Sequence, residues 1–134
     1  MAETIELEIV TPEKQVVRDQ VDEIQIPGKA GFIGVLPGHA PLITELAVGE
    51  ISFVKGGTTT RLAVAWGFAE VLPNKVTILA ETAERASEID VPRAERALQN
   101  AQDRLASADT EEKVDHALAA VHRAETRIEV AGKK

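Results

Sequence analysis

The sequence predicts a β + α chain, an N-terminal β-sandwich of about ten short strands followed by a C-terminal antiparallel helical hairpin. Three observations predict it. Short β-prone segments recur at intervals of about ten residues through residue 80, with Gly, Pro and Asn turns between them, the spacing of a sandwich or barrel. All but one of the nine glycines and all four aromatic residues (Phe32, Phe53, Trp66, Phe68) precede residue 81, after which charge density nearly doubles. Beyond residue 90 the apolar positions change from a period of two to a helical one. Residues 1–84 are therefore assigned to the sandwich and 85–134 to the hairpin.

Thr4 to Val10 alternates Ile5, Leu7 and Ile9 with Glu6 and Glu8, the signature of a half-buried strand. Thr11-Pro12 makes a turn, and Gln15 to Arg18 and Val21 to Ile26 read as the next strands. Ile26 to Leu42 (IPGKAGFIGVLPGHAPL) is punctuated by Gly28, Gly31, Gly34 and Gly38 and by Pro27, Pro37 and Pro41. Glycine admits positive φ and proline removes a donor, so the stretch reads as two tight turns around a short strand, Phe32 to Leu36. Leu42 to Leu46 and Glu50 to Lys55 follow, joined at Gly49, and Gly56-Gly57 is a hairpin signal. Thr58 to Ala65, Gly67 to Leu72 and Lys75 to Ala80 complete the strands, with Pro73-Asn74 turning the last pair.

Glu81 to Glu88 reads as a charged connector. Asp90 is then a good N-cap, and Pro92 falls in the first helical turn, where its missing N–H is not needed. Ala94, Ala97, Leu98, Ala101, Leu105 and Ala108 recur at helical spacing. Ser107 to Thr110 interrupts them, and Asp109 with Glu112 has the spacing of a capping box. The second helix carries Val114, Ala117, Leu118, Val121, Ala124 and Ile128 on one stripe, and so short a loop makes the helices antiparallel neighbours. Alanine dominates this seam. A buried CH₂ contributes roughly 0.8 kcal/mol and a full large side chain about 1.5–3 kcal/mol. With Glu, Lys and Arg over the opposite faces, no second broad apolar stripe is left to fasten the hairpin to the sandwich. A weakly docked hairpin is the expectation.

Composition excludes several functions. The chain has no cysteine, so it holds no disulfide or thiolate metal site and a reducing compartment is expected. A net charge of −7 argues against a nucleic-acid surface. No apolar run approaches the ~20 residues of a membrane helix, and residues 1–20 lack a signal-peptide core, so direct membrane insertion is not expected. Aromatics are only 3%, so Val, Ile, Leu and Ala must build the core.

Catalytic constellations are missing too. None of Ser52, Ser87 and Ser107 sits in a nucleophile elbow, and no phosphate-binding G-x-x-x-x-G-K-[ST] loop occurs. His116 and His122 lie about 240° apart around a helix at 100° per residue, so they do not face one ligand. His39 reads either as a turn histidine bonding local backbone or as a contact residue on an exposed loop. The one chemical constellation is cationic: Arg93 in the first turn of helix one, with Arg123 and Arg127 one turn apart on helix two. Guanidinium forks suit phosphate oxygens, although Glu125 and Glu129 nearby fit an ordinary solvated face as well.

Gly28, Gly31, Gly34, Pro37, Gly38, His39, Pro41 and Leu42 together resemble the G-x-x-G-x-x-G-x-x-P-G-H-x-P-L signature of the epsilon subunits of F-type ATP synthases. Ala65 to Val71 (AWGFAEV) is similar to that family's G-G-F-x-E-V strand pair, and Asn74 to Ala80 and Glu84-Arg85-Ala86 look like its closing strand and connector. Ile89-Asp90-Val91-Pro92-Arg93-Ala94 matches the I/L-D-x-x-R-A motif with which some bacterial members bind ATP, and Arg123-Ala124 and Arg127 match the R-A-x-x-R that joins it.

The resemblance implies a non-catalytic subunit of the rotor's central stalk, coupling proton-driven rotation to ATP synthesis at the cytoplasmic face of the bacterial plasma membrane. It implies the gamma subunit and the c-ring as partners of the sandwich, with Gly28, Lys29, Ala30, Gly31, Phe32, His39 and Leu42 as contact residues. It also implies a hairpin that extends toward the alpha/beta catalytic head to inhibit ATP hydrolysis. No cofactor is required, but a regulatory ATP would use Glu84, Ile89, Asp90, Arg93, Ala94, Arg123 and Arg127. Two positions depart from the pattern: Phe32 stands where an acidic residue commonly faces the c-ring loops, and Trp66 where glycine or another small residue is usual. The alternative reading is a sandwich-and-hairpin interaction module of another complex.

Overall fold

Ile5, Leu7 and Ile9 are fully buried and Glu6 and Glu8 are not, so the alternation of the first strand divides core from outer face as its sequence requires. The computed structural model describes residues 3–133. Strands β1 (Ile5–Val10), β2 (Gln15–Val21), β3 (Glu23–Gly28), β4 (Gly31–Val35), β5 (Leu42–Leu46), β6 (Gly49–Lys55), β7 (Thr58–Val71) and β8 (Lys75–Arg85) are followed by a 3-10 turn, Ala86–Glu88, and by helices α1 (Val91–Ala106) and α2 (Glu111–Ala131).

The strands form one hydrogen-bonded path, β2-β1-β8-β7-β5-β3-β4, and β6 ties β3 to β7. Every pair is antiparallel except β1 with β8. β7 divides its partners: Thr58 to Val64 lies on β6, and Gly67 to Val71 lies on β5. This division folds the strands into two layers around branched aliphatic side chains such as Ile24, Ile51, Leu62 and Ile78, with Phe53 as the one aromatic residue of the cluster. The β-sandwich followed by a helical hairpin is the fold the sequence predicts.

The differences are in how many strands and where they end. Eight strands are described instead of about ten: the nine segments named above become eight because those expected as Thr58–Ala65 and Gly67–Leu72 are one strand of 14 residues bent at the expected break. At the bend Trp66 has φ 49° and Gly67 φ 133°. A Cβ on residue 67 would overlap the Leu79 carbonyl oxygen on β8, so only glycine fits there. The supposed charged connector is strand as far as Arg85: Leu62 to Ala65 pair with Arg85 to Thr82, and Ala83 packs against the core. Charges at outward positions disguised it.

The hairpin begins as expected. The Asp90 carboxylate accepts from the Arg93 N–H at 3.2 Å, and Pro92 stands in the first turn. The second helix is capped one residue later than its spacing suggested. Thr110 Oγ1 accepts from the Lys113 N–H at 3.1 Å, while Asp109 pairs with the Lys113 ammonium at 2.9 Å. The buried face of α2 is Ala117, Ala120, Ala124, Val130 and Ala131, so the stripe is rotated from the expected one and Leu118 is exposed. Alanines at the seam let the helices come close, whereas a leucine at 118 is excluded from so narrow a contact.

Candidate functional site

The hairpin meets the sandwich through a separate small cluster, Ala63, Ala86, Ile89, Val130 and Ala131, with Val91 against it. Polar contacts from the second half of α2 flank it. Arg127 Nε lies 3.0 Å from Glu84 Oε1 on β8, and the Arg123 guanidinium sits over the Trp66 ring, 5.0 Å from its centroid. Just past the helix, Lys133 Nζ lies 3.3 Å from Glu50 Oε1 on β6, whose other oxygen takes a 3.0 Å hydrogen bond from Arg61. Both of these Oε1 atoms are buried, and apart from the facing cation neither has a hydrogen-bond partner among the described residues. Among the described residues the Glu84 carboxylate thus has only the cation that the docked hairpin brings, whereas Glu50 also keeps Arg61 of the sandwich.

A cavity of about 320 Å³ lies between the helices and β8, lined by Thr82, Ala97, Asn100, Arg104, Ala120, Arg123, Ala124 and Arg127. Three arginines converge on it and, among the described residues, only Arg127 has a carboxylate partner. The cavity is thus a cationic groove with unused guanidinium edges, the chemistry that accepts phosphate oxygens.

The residues expected to hold a nucleotide fall into two groups. Arg123 and Arg127 line the groove, and Glu84 touches it through Arg127. Arg93 is exposed and is not among the residues lining the groove, although it lies one turn before Ala97 on α1. Ile89 and Ala94 are buried as packing residues, and the Asp90 side chain is occupied as a helix cap. Arg104, Asn100 and Thr82 escaped the sequence reading. For Asn100 and Arg104 the signal was helical spacing, since positions 93, 97, 100 and 104 share one face of α1, whereas Thr82 lies on β8 and had none.

The glycine-rich stretch forms the β3–β4 hairpin, in which Gly28 pairs with Gly31 and Lys29-Ala30 makes the turn. Gly28 is buried, and Phe32 is 71% exposed near the tip. His39 Nδ1 donates to the Ala40 carbonyl oxygen at 2.6 Å, the local backbone bond that one of its two readings expected. Leu42 packs half-buried against the core. Beside the tip, to which the Lys29–Glu45 ion pair (2.9 Å) joins it, runs an apolar strip that sequence reasoning missed. Phe68 is paired with Leu79 and lies diagonal to Ile43 across β5, β7 and β8, and their exposures are 53%, 54% and 70%. The signal was available: these strands carry apolar residues on both faces, which one-sided burial does not need.

Among the described residues no group of His, Cys, Asp and Glu is placed to hold a metal ion, and no helix is long and apolar enough to cross a membrane.

Comparison with known proteins assigns this architecture. Residues 4–86 match the family model of the ATP synthase delta/epsilon chain beta-sandwich domain, and residues 87–132 match that of the delta/epsilon chain long alpha-helix domain. The chain is 62% identical over 111 residues to the ATP synthase epsilon chain of Koribacter versatilis, covering 83% of this chain and 78% of that one. It is 48% identical over 134 residues to the epsilon chain of Geotalea daltonii, covering 99% and 97%. Among solved structures it is similar to a chain of the Euglena gracilis mitochondrial ATP synthase OSCP/F1/c-ring assembly, with a TM-score of 0.81 and 27% identity over 92% of this chain and 78% of that one. A chain of the Tetrahymena thermophila central stalk/c-ring shares the fold, with a TM-score of 0.71 at 14% identity over 95% and 96%. With both domains matched in order and full-length relatives near half identity, the chain belongs to the ATP synthase epsilon chain family.

Proposed function

We propose that this epsilon chain is a non-catalytic rotor subunit whose sandwich is a rigid clamp on the central stalk and whose hairpin is a detachable regulator of ATP hydrolysis. The clamp face is the strip Ile43, Phe68 and Leu79 together with the exposed Phe32 tip, which suits apolar docking onto the gamma subunit and the c-ring loops. With Phe32 in place of an acidic residue, the tip's contribution is apolar burial in place of charge pairing. Through these contacts the subunit associates peripherally with the cytoplasmic face of the membrane and couples rotation to synthesis.

The hairpin reading rests on one observation: its attachment to the sandwich is a small alanine-rich cluster reinforced by ion pairs. A ligand that binds only the docked arrangement stabilises that state by its differential affinity. The groove under Arg104, Arg123 and Arg127 supports ATP as that ligand, because its residues fit a polyphosphate and belong to both helices. Undocked, the hairpin is free to reach the alpha/beta head and hinder hydrolysis.

Calorimetric titration of ATP into the isolated full chain tests the nucleotide site. Arg127→Ala is expected to weaken binding severely, and Arg104→Ala, which removes no ion pair seen among the described residues, to weaken it about tenfold or more. Unchanged affinity in both variants would remove the site. Copurification tests the clamp: a complex that forms without the gamma subunit would favour a role in another assembly.

A further inference from the structure

We infer that Trp66 positions Arg123 for an anionic ligand, a role resting on the nucleotide reading above. Trp66 is the one tryptophan of the chain and, among the described residues, the one non-glycine with positive φ, at 49°. Such a backbone persists only where its surroundings over-determine it, and glycine would accept the same φ without strain. The side chain shows what holds it there. The left-handed residue interrupts the in–out alternation of β7 at its bend, and the indole meets α2, where the Arg123 guanidinium lies over the ring at 5.0 Å.

A guanidinium over a ring is held by cation–π attraction, which takes up no carboxylate or carbonyl acceptor, so the ring fixes the group while its charge stays available. Arg127 is held differently, through its Nε by the Glu84 carboxylate. A carboxylate beside a guanidinium offsets its charge; a ring leaves that charge for the incoming anion. Among the described residues no carboxylate pairs with Arg123, which lines the groove one turn before Arg127. Two sheet residues, Trp66 and Glu84, thus hold two neighbouring arginines, Glu84 through a carboxylate that offsets the Arg127 charge and Trp66 through a ring that leaves the Arg123 charge uncompensated.

Three full-length chains test this: wild type, W66F and W66G, the last relieving the backbone while removing the ring. By calorimetry, W66G is expected to bind ATP roughly three- to thirtyfold more weakly than wild type, with W66F in between. In the ligand-free state the Arg123 side-chain protons are expected to be shifted upfield by the indole ring current in wild type and to return to ordinary positions in W66G. A purely structural role would instead alter the melting of W66G and leave its ATP affinity unchanged. If wild type binds ATP and W66G binds it equally well, the positioning role is overturned while the nucleotide site stands. If wild type takes up no ATP, the nucleotide reading fails and takes the positioning role with it. Unshifted Arg123 protons in wild type overturn the stack itself.

Discussion

The sandwich and the seat of the hairpin are built from different materials. Thirteen branched aliphatic side chains among the described residues of the sandwich are less than 2% exposed, including Ile5, Ile24, Leu62 and Val71. The cluster joining the hairpin to the sheet has two of comparable size, Ile89 and Val130, and otherwise alanines. At about 1.5–3 kcal/mol for each full large side chain, the sandwich gains several times as much from burial. The hairpin's seat adds what the sandwich core does without: partly exposed ion pairs and a cation–π stack. Such contacts are individually weak, screened by salt and open to competition from a ligand. On the proposed function, one region stays closed and the other closes conditionally.

Gly67→Ala strikes the rigid side hardest. The added methyl meets the β8 backbone at a φ that alanine resists, so the loss should reach about 4 kcal/mol or more. Urea denaturation should show the sandwich itself unfolding earlier. Val130→Ala strikes the conditional side. It should cost about 2 kcal/mol, and the loss should appear as faster amide exchange in the helices while the strands keep their protection. A similar loss of strand protection would show that the two regions unfold together.

The smallest effect belongs to the sandwich surface. Lys55 donates to both oxygens of Asp19 at 2.8 and 2.9 Å, and this hydrogen bonding holds the carboxyl below its usual pKa. A carboxyl depressed in the folded state adds stability above its unfolded pKa and loses it as pH falls through the folded one. Wild type should therefore shed a small stabilisation below about pH 4, which Asp19→Asn would lack from the outset, as paired urea titrations would reveal. Parallel curves for the two chains would mean that the pair contributes nothing.

What could be read from the chain follows the same division. Strict alternation such as Ile5-Glu6-Leu7-Glu8-Ile9 leaves one choice of buried face, so the sandwich was legible, and Asp90 with Pro92 marked the start of α1. The end of β8 was hidden because Glu81 to Arg85 carries charges on outward positions that a solvated connector would carry as well. The face of α2 was read one step wrong because Ala120 and Leu118 fit helical stripes about equally, and only the close approach of α1 selects the smaller side chain. The groove was half legible. Arg123 and Arg127 are neighbours by spacing, and the break of β7 before Gly67 was legible, but the placing of Trp66 beneath Arg123 is a tertiary event with no local signature.

Hydrogen exchange on the isolated full-length chain tests the distinction between clamp and detachable hairpin most directly. Amides of α2 between Ala117 and Arg127 should exchange through openings that leave β1, β3 and β6 protected, and should slow when ATP is added. Exchange of helices and strands at one common rate, indifferent to ATP, would contradict it.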